Sequence, residues 1–308
     1  MKSTKMTIAL LAIIAVSLSF TACKKTATTS IKNTLDSAQT QSNDEVMANK
    51  ETDESSNDAT AALENSGGSF AARPAGPSIA FPCDATVTYD TTAVQKSITI
   101  TYNGSNCSGT RTRTGKIIIS FDSSLHWRNA GATINVDYDS LAITRVSDGK
   151  TLLITGNITH TNVSGGLLED LATSNSITRT ITGNLDLTFD NQTQRTWQIT
   201  KQRVFTYYNN GIVITTTGTG TGGVAEAGIN RYGNAFTSAI TEPRVIEQNC
   251  DFRLVSGQTL YNGPYATVTT TFGLDVNGNP VSACPIGFFY YKQLWSIAGR
   301  TFTFIGPY

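Results

Sequence analysis

From Ser78 to Tyr308 the sequence predicts an all-β, predominantly antiparallel domain, either a sandwich or one large twisted meander. Three observations predict it. Apolar residues recur with period two, as half-buried strands require. Turn signals separate the runs: Asn103-Gly104, Asp148-Gly149, Asn209-Asn210-Gly211 and Asn277-Gly278-Asn279-Pro280. No apolar stripe of helical period follows Pro82, so no helix longer than about three turns is expected there.

The elements follow in chain order. Ile98, Ile100 and Tyr102 alternate with Thr99 and Thr101. Arg111 to Phe121 (RTRTGKIIISF) reads as the next strand, with Arg111 and Arg113 on the parity of Ile117 and Ile119. Two arginines on one face could clamp an anion or guard a sheet edge. A bulge at Gly115 would shift the register and carry them off the apolar face. Ile134, Val136 and Tyr138 alternate with Asn135 and Asp137. Ile158 to Val163 continues the pattern, and Ile177 to Phe189 keeps one parity with a break near Gly183. Gly165 to Thr173 suits one or two helical turns. Ile212 and Ile214, then Phe302 and Phe304, close the series, with Thr215 to Gly223 (TTTGTGTGG) as a loop or frayed strand end.

Residues 23–77 read differently. Thr26 to Gly76 is rich in Ser, Thr, Asn, Ala and acids, including Asp44, Glu45, Glu51, Asp53, Glu54, Asp58 and Glu64, with no aromatic before Phe70. Such a composition buries too little apolar area to offset ordering entropy, so a disordered tether is expected, readily trimmed by protease.

The first 22 residues resemble a secretory leader. Lys2 and Lys5 give a basic start, Thr7 to Phe20 is apolar, and small residues precede Cys23. This resembles the lipobox of bacterial lipoproteins, although Phe20 stands where leucine is usual in that family. The resemblance implies that Cys23 is lipidated and opens the mature chain. Asn103 to Cys107, Thr112 to Ile119 and a late Cys-Asp pair also resemble uncharacterised lipoproteins of Bacteroidota type. That resemblance implies a place and a class and carries no activity. The expected location is an outer-membrane lipoprotein, on the periplasmic side or at the cell surface. No acidic run follows Lys24-Lys25, which favours the periplasmic side.

Four further cysteines, Cys83, Cys107, Cys250 and Cys284, are even in number and suit an oxidising compartment. Their spacing is unlike a zinc site, and no metal or cofactor is expected. A faint repeat, Cys-Asp, hairpin, Cys, aliphatic or aromatic strand, occurs twice and suggests two related halves within residues 78–308. If each hairpin is a unit, the pairs are Cys83–Cys107 and Cys250–Cys284. Pairing between the repeats and free thiols stay open.

Catalytic motifs are weak. His126 and His160 stand without surrounding motifs, and the sequence has no nucleophile elbow or His-Glu-x-x-His pair. Carboxylates such as Asp137, Asp139, Glu169, Asp170, Asp186, Asp190, Glu242 and Glu247 would have to face one another across a cleft to hydrolyse a glycoside. Net charge is zero and 15% of residues are charged, which argues against nucleic acid as a partner. The expected role is a non-enzymatic cell-envelope lipoprotein in structure, adhesion or binding. Its expected partners are the membrane, through the N-terminal lipid, and a polysaccharide or another envelope protein. The alternative is a carbohydrate-binding module stacking sugars on Tyr290, Tyr291 and Trp295; a hydrolase ranks third.

Overall fold

A computed structural model describes residues 35–64, 77–93, 95–264, 266–297 and 299–308. The leader, Cys23 and the two ends of the expected tether lie outside the described residues. Among those described, fourteen strands form one antiparallel sheet. In chain order they are β1 (Ala85–Asp90), β2 (Gln95–Ser105), β3 (Arg111–Asp122), β4 (Ala132–Arg145), β5 (Thr151–Asn162), β6 (Ile177–Phe189) and β7 (Gln194–Tyr208). There follow β8 (Gly211–Gly218), β9 (Val224–Ile229), β10 (Ala235–Glu247), β11 (Arg253–Asn262), β12 (Thr267–Leu274), β13 (Tyr290–Ile297) and β14 (Arg300–Pro307).

The order is a meander rather than a sandwich. Each strand pairs with the next from β1 to β8, and again from β10 to β14. Between β7 and β10 lies a lane shared by two short strands, with β8 filling one part and β9 the other. The alternation read from the sequence holds: Ile98, Ile100, Ile117, Ile119, Val136, Ile154, Leu187 and Trp197 all point to one buried face. The threonines between them lie on the other face.

The expected tether is where the structure overturns the reading. Residues 35–64 form one helix, α1, buried on nearly every side within the curve of the sheet. Thirty helical residues span about 45 Å. Ala48, Ala59, Ala62 and Leu63 join the same apolar cluster as the strand residues. The physical reason is that apolar area is not the only term that matters. The stretch has no glycine or proline, so the helix is uninterrupted. Its short polar side chains bond back to the helix itself. The Thr52 hydroxyl donates to the Ala48 carbonyl (2.8 Å), and that of Thr60 to Ser56 (2.9 Å). Its acids meet bases supplied by the sheet, described below.

The expected bulge near Gly115 exists, but it belongs to the neighbouring strand. Between the Thr114–Ala142 and Lys116–Asp139 pairs, β4 carries one residue more than β3. Ser140 of β4 takes a φ of 56°. Gly115, at φ 101°, faces it so closely that a Cβ would come within 2.1 Å of the Ser140 carbonyl oxygen. Because β3 keeps its own alternation, Arg111 and Arg113 stay on the apolar face and are buried there.

Both local disulfides form. Cys83–Cys107 brackets the β1–β2 hairpin, with Cα atoms 5.3 Å apart. Cys250–Cys284 brackets β11, β12 and the loop after them, with Cα atoms 5.4 Å apart. The two Cys-Asp units are thus parts of a single continuous sheet.

Candidate functional site

The concave face of the sheet is a cationic lumen, and α1 fills it. The strands build this lumen by ordinary alternation. On β7 the inward positions are Arg195, Trp197, Ile199, Lys201, Arg203 and Phe205, so bases and apolar residues share one face. On β3 they are Arg111, Arg113, Ile117 and Ile119. Arg179 of β6 and Arg244 of β10 continue the set. Burying a charge is tolerable when it is paired and hydrogen-bonded.

Each base meets α1 or a neighbour. Arg111 donates to Glu51 (2.6 Å) and to Glu54 (2.5 Å). Arg195 donates to Glu45 (2.6 Å), Arg244 to Asp53 (2.7 Å) and Arg179 to Glu64. Arg231, in the turn between β9 and β10, clasps Asp44 with two bonds of 2.6 Å. Arg113 is shared: Asp84 takes two bonds (2.7 and 2.6 Å), and Asp58 takes one (2.7 Å). Lys201 binds Glu226 of β9 at 2.6 Å and the Asn49 side-chain oxygen at 2.9 Å. Arg203 donates to Asn57 at 2.6 Å. Tyrosines complete the grip. The Tyr102 hydroxyl donates to Asp58 (2.9 Å), that of Tyr138 pairs with Ser55 (2.9 Å), and that of Tyr291 donates to Asn43 (3.2 Å).

Burial and pairing compete at these groups. Burial outweighs the nearby arginines at Asp44 and at Asp58 and pushes each carboxyl up to about 6. At Arg113 burial works against the charge, yet Asp84 and Asp58 hold it charged, above the usual arginine range. Glu45 and Glu226 sit side by side. Burial raises Glu226, and Glu45 adds to that. At Glu45 burial is overcome by Arg195 and by hydrogen bonds, and its carboxyl is held low. His160 faces the same lumen. Burial, then the positive charges of Arg203 and Arg179, push it down to about 3, so it is neutral at ordinary pH.

The late aromatics do not form the expected stacking row. Tyr291 and Trp295 point inward and are buried, because they share the face that carries Phe289 and Ile297. The Trp295 ring stacks on Phe304, with centroids 6.1 Å apart. Tyr290 is half-buried on the opposite parity. The two histidines are far apart in character, His126 exposed at a turn and His160 buried. Glu169 and Asp170 both bind Arg128 at the rim, at 2.5 and 2.9 Å. Among the described residues, no group of three His, Cys, Asp or Glu side chains is placed to hold a metal ion.

The sequence reading missed the acids of α1 as structural partners. Two signals pointed to them: the missing glycine and proline over residues 35–64, and arginines on the apolar parity of β3. Comparison with protein families, with curated proteins and with solved structures gives no match.

Proposed function

We propose that the protein is a non-enzymatic lipoprotein of the cell envelope, anchored through Cys23, with a structural or binding role close to the membrane. One observation carries the placement. Residue 35, already part of the buried helix, lies twelve positions after Cys23. Twelve extended residues reach about 40 Å at most. The folded body is therefore held near the lipid and does not roam on a long tether.

Two further features support this reading. The lumen, where a β-structure of this size could hold a substrate, is filled by the chain's own helix. Partners then meet the rim and the outer face. On β4 and the start of β7 that outer face is polar, with Thr133, Asn135 and Asp139 and Gln194, Thr196 and Gln198 all exposed. A lipid-facing band would be apolar. The body thus suits the water beside a membrane.

The experiment is fractionation of cells carrying Cys23→Ser, with intact-mass analysis. The variant is expected in the soluble fraction, without acyl mass and with its β spectrum intact. Retention in the membrane fraction, at the mass of an unacylated chain, would overturn the anchor.

A further inference from the structure

Large apolar side chains gather at one corner of the sheet and face water. The loop between β12 and β13 exposes Val276, Ile286 and Phe288, and the turn between β7 and β8 exposes Tyr207 and Tyr208. Ile286 is fully exposed and Phe288 is 63% exposed. The turn between β10 and β11 joins these segments. Its Cys250 is bonded to Cys284 of the loop, and its Asn249 side-chain amide donates to the Asn209 carbonyl at 2.9 Å. Single apolar residues on a surface are ordinary, whereas a gathered and protruding set marks a contact.

The backbone holds these side chains out. Arg253, at the start of β11, donates to the carbonyls of Cys250 (2.9 Å), Gly287 (2.7 Å) and Pro285 (3.0 Å). With the disulfide, that grip fixes the chain on both sides of Ile286. Phe289 turns inward and is buried, its ring stacked on Tyr308 with centroids 6.2 Å apart. Phe288, the residue before it, points out. The ordering cost of presenting an apolar tip is thus met within the fold. The segments themselves carry no charge: residues 207–211 and 276–289 contain no acid and no base. Moving a charge into lipid is costly, so a lipid contact requires this, and a protein partner does not.

We infer that this corner dips into a lipid bilayer, with Ile286 and Phe288 entering the acyl boundary and Tyr207 and Tyr208 lying among the headgroups. Aromatic rings with a polar tip favour that level. The tip protrudes, and a fluid bilayer accepts a protrusion without a matching pocket. The inference rests on the Cys23 anchor for the choice of bilayer over protein, and the anchor can reach the same bilayer. Tyr291, three positions after Phe288, donates its hydroxyl to Asn43 of α1 at 3.2 Å. Through that contact the path from residue 35 to Phe288 is about 35 Å at most, inside the roughly 40 Å that twelve residues can span. Asp275 opens the loop and Asp251 lies exposed in the turn beside it. The attraction is therefore apolar rather than ionic, and the contact is shallow, about 5–10 Å deep.

The test places the full-length protein in phosphatidylcholine vesicles whose acyl chains carry bromine, which quenches tryptophan. Phe288→Trp reports on the tip and Thr133→Trp on the polar outer face of β4, while the native Trp127, Trp197 and Trp295 are buried. The intact mass of the same sample reads the anchor separately. The Phe288→Trp indole should emit further to the blue and lose about half or more of its emission, as a side chain at that depth does. Thr133→Trp should keep its emission. Adding Ile286→Asp to Phe288→Trp should cut the quenching about twofold or more, and salt at about 1 M should leave it unchanged. A mass without acyl groups would remove the anchor alone. The quenching is then read on the soluble chain titrated with vesicles, where its presence supports the tip and its absence overturns it. An unquenched Phe288→Trp in vesicle-bound chain would overturn the inference and leave the corner to a protein partner. Equal quenching at both positions, or quenching that Ile286→Asp leaves unchanged or that salt abolishes, would overturn it as well.

Discussion

Two sets of ion pairs in this molecule use the same residue types under different conditions. Around α1, the arginine and carboxylate side chains of the Arg195–Glu45, Arg113–Asp84 and Arg244–Asp53 pairs are at most 10% exposed. At the rim, Arg145 and Asp148 pair at 2.6 Å with side chains 41% and 36% exposed. In water the second kind contributes little, because solvent screens the charges and holding two side chains still costs entropy. In the lumen neither partner can be removed without stranding the other away from water. The difference teaches that a charge-rich segment is not thereby a solvated one. What decides is whether another part of the chain offers buried counter-charges at matching positions.

Breaking an inner pair should have the largest effect. Arg113→Met strands Asp84 and Asp58, and urea unfolding should show a loss of about 3–5 kcal/mol. Adding Asp58→Asn and Asp84→Asn to the same chain should restore much of it. A loss below about 1 kcal/mol in the single variant would place the inner pairs with the outer ones.

Opening the Cys250–Cys284 bridge comes next. It spans 34 positions, and the double serine variant should lose about 2–4 kcal/mol. Unlike the inner pairs, it should leave the helix signal in circular dichroism unchanged under native conditions.

Acidity separates the two sets without mutation. Asp44 and Asp58 sit at about 6 in the folded chain, above their ordinary 3.8. The folded state takes up their protons as pH falls through 6, while the unfolded chain waits until about 4. Their contribution to stability therefore rises as pH falls from 7 towards 4. Between pH 7 and 5 the two aspartates should add roughly 3 kcal/mol. Glu226, raised to about 7, adds to that, while His160, pushed down to about 3, takes away roughly 2 kcal/mol because only the unfolded imidazole gains a proton in this window. Glu45 is held low and works the other way, but only below the ordinary glutamate range. A loss of stability from pH 7 to 5 that persists when His160→Gln removes the histidine's opposing contribution would contradict the buried placement of both aspartates.

The smallest effect belongs to the rim. Asp148→Asn should change stability by about 0.5 kcal/mol or less, and less still at high salt. A larger loss would show that exposure is a poor guide to which pairs matter here.

The sheet was legible because alternation is a local signal. Ile98, Ile100 and Tyr102 declare a face within five residues. Gly115 marked an irregularity, but the extra residue is Ser140 of the neighbouring strand, and the arginines keep the apolar face that the expected bulge would have taken them from. The two disulfides followed from a repeat that the chain spells out twice. The helix was illegible for the opposite reason. Nothing near Glu45 or Asp53 says that Arg195 and Arg244 lie opposite, because those partners are 150 and 191 positions away. Charge complementarity across such distances has no period. Tyr291 and Trp295 were misjudged because alternation gives two faces without saying which one is covered. The parity of Phe289 and Ile297 decides that only once α1 is in place.

Hydrogen–deuterium exchange of residues 35–64 in the full-length protein shows whether α1 belongs to the core. These amides should exchange as slowly as those of β3 to β7 and open only with global unfolding. Exchange of the helix within seconds while the strands stay protected would contradict it and return residues 35–64 to the status of a tether.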